Sequence, residues 1–132
     1  AMAFSVGIFS IFYGDEVGLQ GMGNLANRKP YPWGYRDKKL LEFFRYIGKM
    51  RSREIFLKEA DLNVVDITRD YFMFERLGEE DKVLVTVNRT GEYKSFAIPG
   101  EYKKNSSGIY TLNKSLPGRL SPYGATAVKV KR

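Results

Sequence analysis

Asp15 and Glu16 are the first residues along this chain whose types suggest chemistry. Two carboxylates can act as general acid and base, or as nucleophile and proton donor, if they face one bond from two sides. Neighbours on an extended chain point in opposite directions, so this pair is badly placed for such work. The other acids are scattered among turns, where solvation accounts for them, and no catalytic residue is assigned. Histidine is absent from the 132 residues. That removes Ser–His and Cys–His catalysis, histidine metal ligands and the usual near-neutral proton shuttle. Cysteine is absent as well, which excludes disulfides, thiolate nucleophiles and cysteine zinc sites.

The chain carries 22 basic and 15 acidic residues, a net charge of +7. The excess lies in residues 28–53, where Arg28, Lys29, Arg36, Lys38, Lys39, Arg45, Lys49, Arg51 and Arg53 stand against Asp37 and Glu42. Such a run fits a polyanion-binding surface or the solvated face of one basic helix. The aromatic residues fall on the helix stripe and on strands rather than among the cations, so no nucleic-acid partner is expected. No apolar run approaches the roughly 20 residues of a membrane span. The apolar start lacks the basic leader of a signal peptide, and no membrane partner is expected. The compartment stays open, the cytoplasm being compatible with a chain that has neither cysteine nor leader.

These residues need elements to hold them. Residues 1–13, AMAFSVGIFSIFY, read as the end of a helix broken at Gly7, then a strand buried on both faces and stopped by Gly14. Residues 14–36 hold Gly14, Gly18, Gly21, Gly23, Gly34, Pro30 and Pro32, and read as one long functional loop. Residues 37–53 read as a helix capped by Asp37, with Leu40, Phe43, Phe44, Ile47 and Met50 on one stripe. Gly48 in its middle suggests a close packing contact.

From residue 54 the period changes from about 3.6 to 2. Residues 63–67, 71–77, 82–88, 93–98, 108–112, 118–120 and 125–131 are strand candidates. Residues 78–81 and 89–92 read as hairpin turns and 101–107 as a polar loop. Val83, Val85 and Val87 make the expected inward face. Short strands at this spacing predict an antiparallel β-sandwich. At 132 residues the chain is too short for a complete (β/α)₈ barrel of about 250 residues.

Ile11-Phe12-Tyr13-Gly14-Asp15-Glu16 resembles the eighth barrel strand of the α-amylase superfamily of glycoside hydrolases. Gly21-Met22-Gly23-Asn24-Leu25-Ala26-Asn27-Arg28-Lys29-Pro30-Tyr31-Pro32-Trp33 resembles the glycine-rich, Asn-Arg and Pro-x-x-Trp loop of neopullulanases and cyclomaltodextrinases. Residues 37–53, with Phe43-Phe44 and Lys49-Met50-Arg51, are similar to the last barrel helix. Val85-Thr86-Val87-Asn88-Arg89 and Pro122-Tyr123-Gly124-Ala125 are similar to the C-terminal sandwich of that family. The resemblance runs the whole length in order. It departs at Phe9, where the family often has proline, and at Asn24, where it usually has aspartate.

The resemblance implies an α+β chain: residues 1–53 as the last strand–loop–helix unit of a (β/α)₈ barrel, and residues 54–132 as a C-terminal β-sandwich. It implies a parent glycosidase acting on α-1,4-glucans such as starch, maltooligosaccharides and cyclodextrins. Its three catalytic carboxylates would lie upstream of this chain, which alone is expected to be inactive. Retaining chemistry needs two of them about 5–5.5 Å apart across the scissile bond. The same resemblance makes Arg28, with Asn24 in the place of its usual aspartate partner, a sugar contact on the non-reducing side of the cleavage point, and Tyr31 and Trp33 offer apolar faces of the kind a sugar stacks on. Asn24 offers a donor and an acceptor to sugar hydroxyls but cannot form a charged pair with Arg28. Trp33 is read as packing beneath the loop. No metal site and no cofactor are expected, calcium in the parent being left undecided. The alternative from another class is a non-catalytic carbohydrate-binding or self-association module, with residues 1–36 as the adhesive segment.

Overall fold

A computed structural model describes residues 1–21, 28–104 and 106–132. Contacts divide the chain into two units, one of Ala1–Gly7 with Ile55–Arg132 and one of Ile8–Glu54.

The first unit is mostly antiparallel sheet. Its strands are β1 (Asp61–Ile67), β2 (Tyr71–Leu77), β3 (Asp81–Asn88), β4 (Lys94–Ser95), β5 (Ser106–Leu112), β6 (Arg119–Leu120) and β7 (Ala125–Lys131). Five form one sheet in the order β1-β2-β3-β7-β5, and β4 with β6 forms a two-stranded ladder. The alternation of apolar residues drives this arrangement, because each strand then offers a complete apolar row to one side. The register pairs Phe74 with Val85 and Val85 with Ala127. Met73, Leu84, Val128 and Val130 form one buried cluster with Ile98 and Tyr102.

Of the expected inward face Val83 and Val85 are buried and Val87 is half-buried, while Leu84 and Thr86, expected on the other side, are buried as deeply as Val83. The reason is position. β3 lies in the middle of the sheet order and has cover on both faces, so its alternation does not separate core from solvent. β1, at the edge, is exposed along its whole length and carries a bulge between Val64 and Asp66. Bulges at edges discourage further pairing.

Two turns differ from expectation. Residues 89–92 do not close a hairpin, since β3 pairs with β2 and β7 while β4 pairs with β6. The buried Asn88 amide diverts the chain: its Nδ2 donates to Glu92 O (2.7 Å) and Ser121 O (2.9 Å), and its Oδ1 accepts from the Thr90 amide (2.9 Å). The polar stretch expected as a loop after residue 100 holds a short helix, α2 (Gly100–Lys104), which seats Tyr102 in the core.

In the second unit, α1 spans Lys38–Arg53, and the Asp37 carboxylate accepts from the Leu40 amide at 3.0 Å, as the cap required. Leu40, Phe43, Phe44 and Ile47 are half-buried and Met50 is buried. A Cβ at Gly48 would meet nothing within 4 Å among the described residues, so the expected close contact there is absent. Residues 8–12 form no strand, and Ile8 is 96% exposed. A strand needs a neighbour to take its hydrogen bonds, and no described segment supplies one to these residues. The preceding turn is a 3₁₀ turn, Met2–Phe4, with Gly7 in the left-handed region at φ 90°.

Candidate functional site

The loop of the second unit starts at a glycine that cannot be replaced freely. Gly14 has φ 88°, and a Cβ there would lie 2.6 Å from the Leu19 side chain. Its carbonyl accepts from the amides of Val17 (3.1 Å) and Leu19 (2.9 Å). Gly14 and Gly18, both left-handed, bracket a 3₁₀ turn, Asp15–Val17. Asp15 and Glu16 therefore sit on a helical turn within the segment expected as loop, not on an extended chain. Successive side chains on such a turn diverge by about 120°, so the two carboxylates still do not face a common point.

Beyond residue 27 the chain is extended by its prolines and gathers aromatic rings. Lys29 Nζ donates to Gln20 O at 3.1 Å, and the Tyr13 hydroxyl donates to Lys29 O at 3.3 Å. Tyr31 stands 6.3 Å from the Tyr13 ring and 4.7 Å from the Trp33 ring, tilted against each. Arg36 donates to Trp33 O at 3.3 Å. Trp33 is 75% exposed, which overturns the reading of it as packed beneath the loop. Its neighbour Pro32 turns the chain outward, with the Tyr35 amide donating to Pro32 O at 3.1 Å.

Of the expected sugar contacts, Arg28 is exposed and Tyr31 half-buried within the aromatic row. Asn24 lies outside the described residues. The structure sets the Tyr31 ring beside those of Tyr13 and Trp33, with Lys29 O bonded to the Tyr13 hydroxyl, a grouping that sequence reasoning missed for Tyr13 and Lys29. The signal was faint: two tyrosines at either end of a glycine-rich segment. A cation and a row of rings can bind a neutral polyol through hydrogen bonds and apolar faces. They hold no acid pair for hydrolysis. Among the described residues no group of three or more acidic side chains could hold a metal ion. No helix among them is long and apolar enough to cross a membrane.

No family model matches the chain. An amylopullulanase of Thermoanaerobacter thermohydrosulfuricus is 32% identical over 102 residues, which is 70% of this chain and 7% of that protein. A cyclomaltodextrin glucanotransferase of Geobacillus stearothermophilus is 28% identical over 107 residues, 81% of this chain and 15% of that protein. Neopullulanase 2 of Thermoactinomyces vulgaris is 26% identical over 92 residues, covering 67% of this chain and 16% of the relative. The chain thus spans well under a fifth of these relatives. In fold, an Anoxybacillus α-amylase matches with TM-score 0.73 at 20% identity, over 90% of this chain and 28% of that one. The maltogenic amylase from S. marinus matches with TM-score 0.70 at 21% identity, over 90% of this chain and 16% of that one. Similarity in sequence to amylopullulanase, glucanotransferase and neopullulanase, together with the shared fold, shows that the chain belongs to the α-amylase superfamily of glycoside hydrolases.

Proposed function

We propose that this chain is the portion of an α-amylase-type glycosidase that follows its catalytic carboxylates. In this reading residues 1–53 complete the catalytic barrel and residues 54–132 form the accessory C-terminal sandwich. The parent acts on α-1,4-glucans, and Arg28, Asn24 and Tyr31 contact the sugar chain. One observation carries the reading: similarity covers up to 81% of this chain but only 7–15% of the amylopullulanase and glucanotransferase.

The test is to incubate the pure chain with soluble starch or a cyclodextrin and count reducing ends. None should form; turnover overturns the reading. In a complete parent, Arg28→Ala should weaken maltooligosaccharide binding by about tenfold, the cost of a charge-assisted hydrogen bond. Unchanged affinity removes Arg28 from the site.

A second reading, a self-associating or carbohydrate-binding module without catalysis, is favoured by the exposed Ile8, Phe12, Trp33 and Tyr35. Its partner would be a second copy of the chain or a glucan held without turnover.

A further inference from the structure

Arg76 is fully buried on β2. Its guanidinium reaches five backbone carbonyls. Nη1 donates to Phe4 O (2.7 Å) and Ser5 O (2.8 Å). Nη2 donates to Leu57 O (2.9 Å) and Ala60 O, and Nε to Asp61 O (3.4 Å). Four of these acceptors fall into two groups. Phe4 and Ser5 close the 3₁₀ turn Met2–Phe4, and Leu57 and Ala60 lie at the end of the 3₁₀ turn Ile55–Lys58. The carbonyls at the end of a helical turn have no partner within it, so both groups need a donor from elsewhere. A planar fork with five N–H donors can serve both at once, and a point-charged ammonium cannot.

The topology gives this grip a consequence. The chain leaves the sheet unit after Gly7 and rejoins it at Ile55, with the whole Ile8–Glu54 unit between. Arg76 therefore holds the segment before that unit and the segment after it, both within the sheet unit, from one strand paired with Leu62 on β1 and Val83 on β3. We propose that Arg76 is a positioning residue that locks the two segments of the sheet unit flanking residues 8–54, one before and one after them, together on the sheet. The grip does not depend on whether Arg28 touches sugar.

The test is amide hydrogen exchange on the full chain, comparing the native sequence with Arg76→Met and Arg76→Lys. In Arg76→Met the amides of Phe4, Ser5, Glu59 and Ala60 should exchange about tenfold or more faster, by similar factors. The β3 and β7 amides of Val85 and Ala127 should keep their rates. In Arg76→Lys at least one of the two segments should loosen, again without β3 and β7. Native rates in both segments, loosening of one alone in Arg76→Met, or equal acceleration of β3 and β7 would overturn the proposal. Should Arg76→Met fail to fold, Arg76→Lys decides alone: loosening of either segment with β3 and β7 unchanged supports the lock, and any other pattern removes it.

Discussion

Gly124 shows how far a single atom can matter in this chain. A Cβ there would lie 2.0 Å from Ser115 Oγ and 2.9 Å from Ser121 O. Ser115 and Ser121 are both buried and bonded to each other at 2.9 Å, so neither can swing away cheaply. Gly124→Ala should cost about 1–3 kcal/mol, the usual range for overpacking, read as a lower urea midpoint at unchanged slope. Tyr102 is a second such residue. Burial pushes its phenol above the ordinary 10.0, and the bond its hydroxyl donates to Glu75 (2.8 Å) pushes it further. The folded phenol stays neutral where the unfolded one ionises. The contribution is complete below pH 10.0 and is lost as the pH rises above it, because the unfolded state then binds fewer protons. Urea midpoints taken from pH 9 to 11.5 should fall on the alkaline side, and Tyr102→Phe should make that fall shallower. An equal slope in the variant would contradict the assignment.

At the level of elements, position in the sheet sets sensitivity. Leu84 on β3 is 1% exposed and belongs to the central cluster, whereas Val64 on β1 is 57% exposed at an edge. Leu84→Ala should therefore cost about 2–5 kcal/mol. Val64→Thr should change stability by less than about 0.5 kcal/mol. Thermal or urea unfolding of the two variants separates these outcomes, and similar losses would contradict the placement of β1 at a solvated edge. Helix α1 depends on its first turn. Asp37→Ala removes the acceptor of the Leu40 amide and should cost about 1 kcal/mol, seen as faster exchange of that amide and lower helicity.

At the level of the whole molecule, the apolar surface of the N-terminal third is the feature that asks for a partner. Ile8 is 96% exposed, Trp33 75% and Phe12 68%. Exposed apolar groups of this size mark interfaces or promote association. In the proposed reading, the barrel of a parent enzyme would cover them. In isolation the chain should elute from gel filtration above its monomer mass in a concentration-dependent way. Ile8→Ser with Phe12→Ser should shift it toward monomer. A monomer at all concentrations would leave residues 1–36 without the adhesive role proposed for them.

What the sequence determined by itself was whatever depends on neighbours along the chain. The period of two located β2, β3 and β7 closely, because alternation is imposed by the pleat itself. Asp37 and the stripe ending at Met50 located α1 for the same kind of reason, one turn of helix at a time. The Tyr-Gly-Asp-Glu and Asn-Arg segments identified the superfamily, which the relatives confirm. Tertiary structure alone decided the rest. Burial of both faces of β3 follows from its place in the sheet order, which no local pattern encodes. The outward-facing Trp33, the Asn88 corner and the reach of Arg76 to Phe4 all join residues or surroundings that chain order does not bring together. Such contacts form only when the chain has already closed, so their signal in the sequence is one polar or aromatic residue with no stated partner.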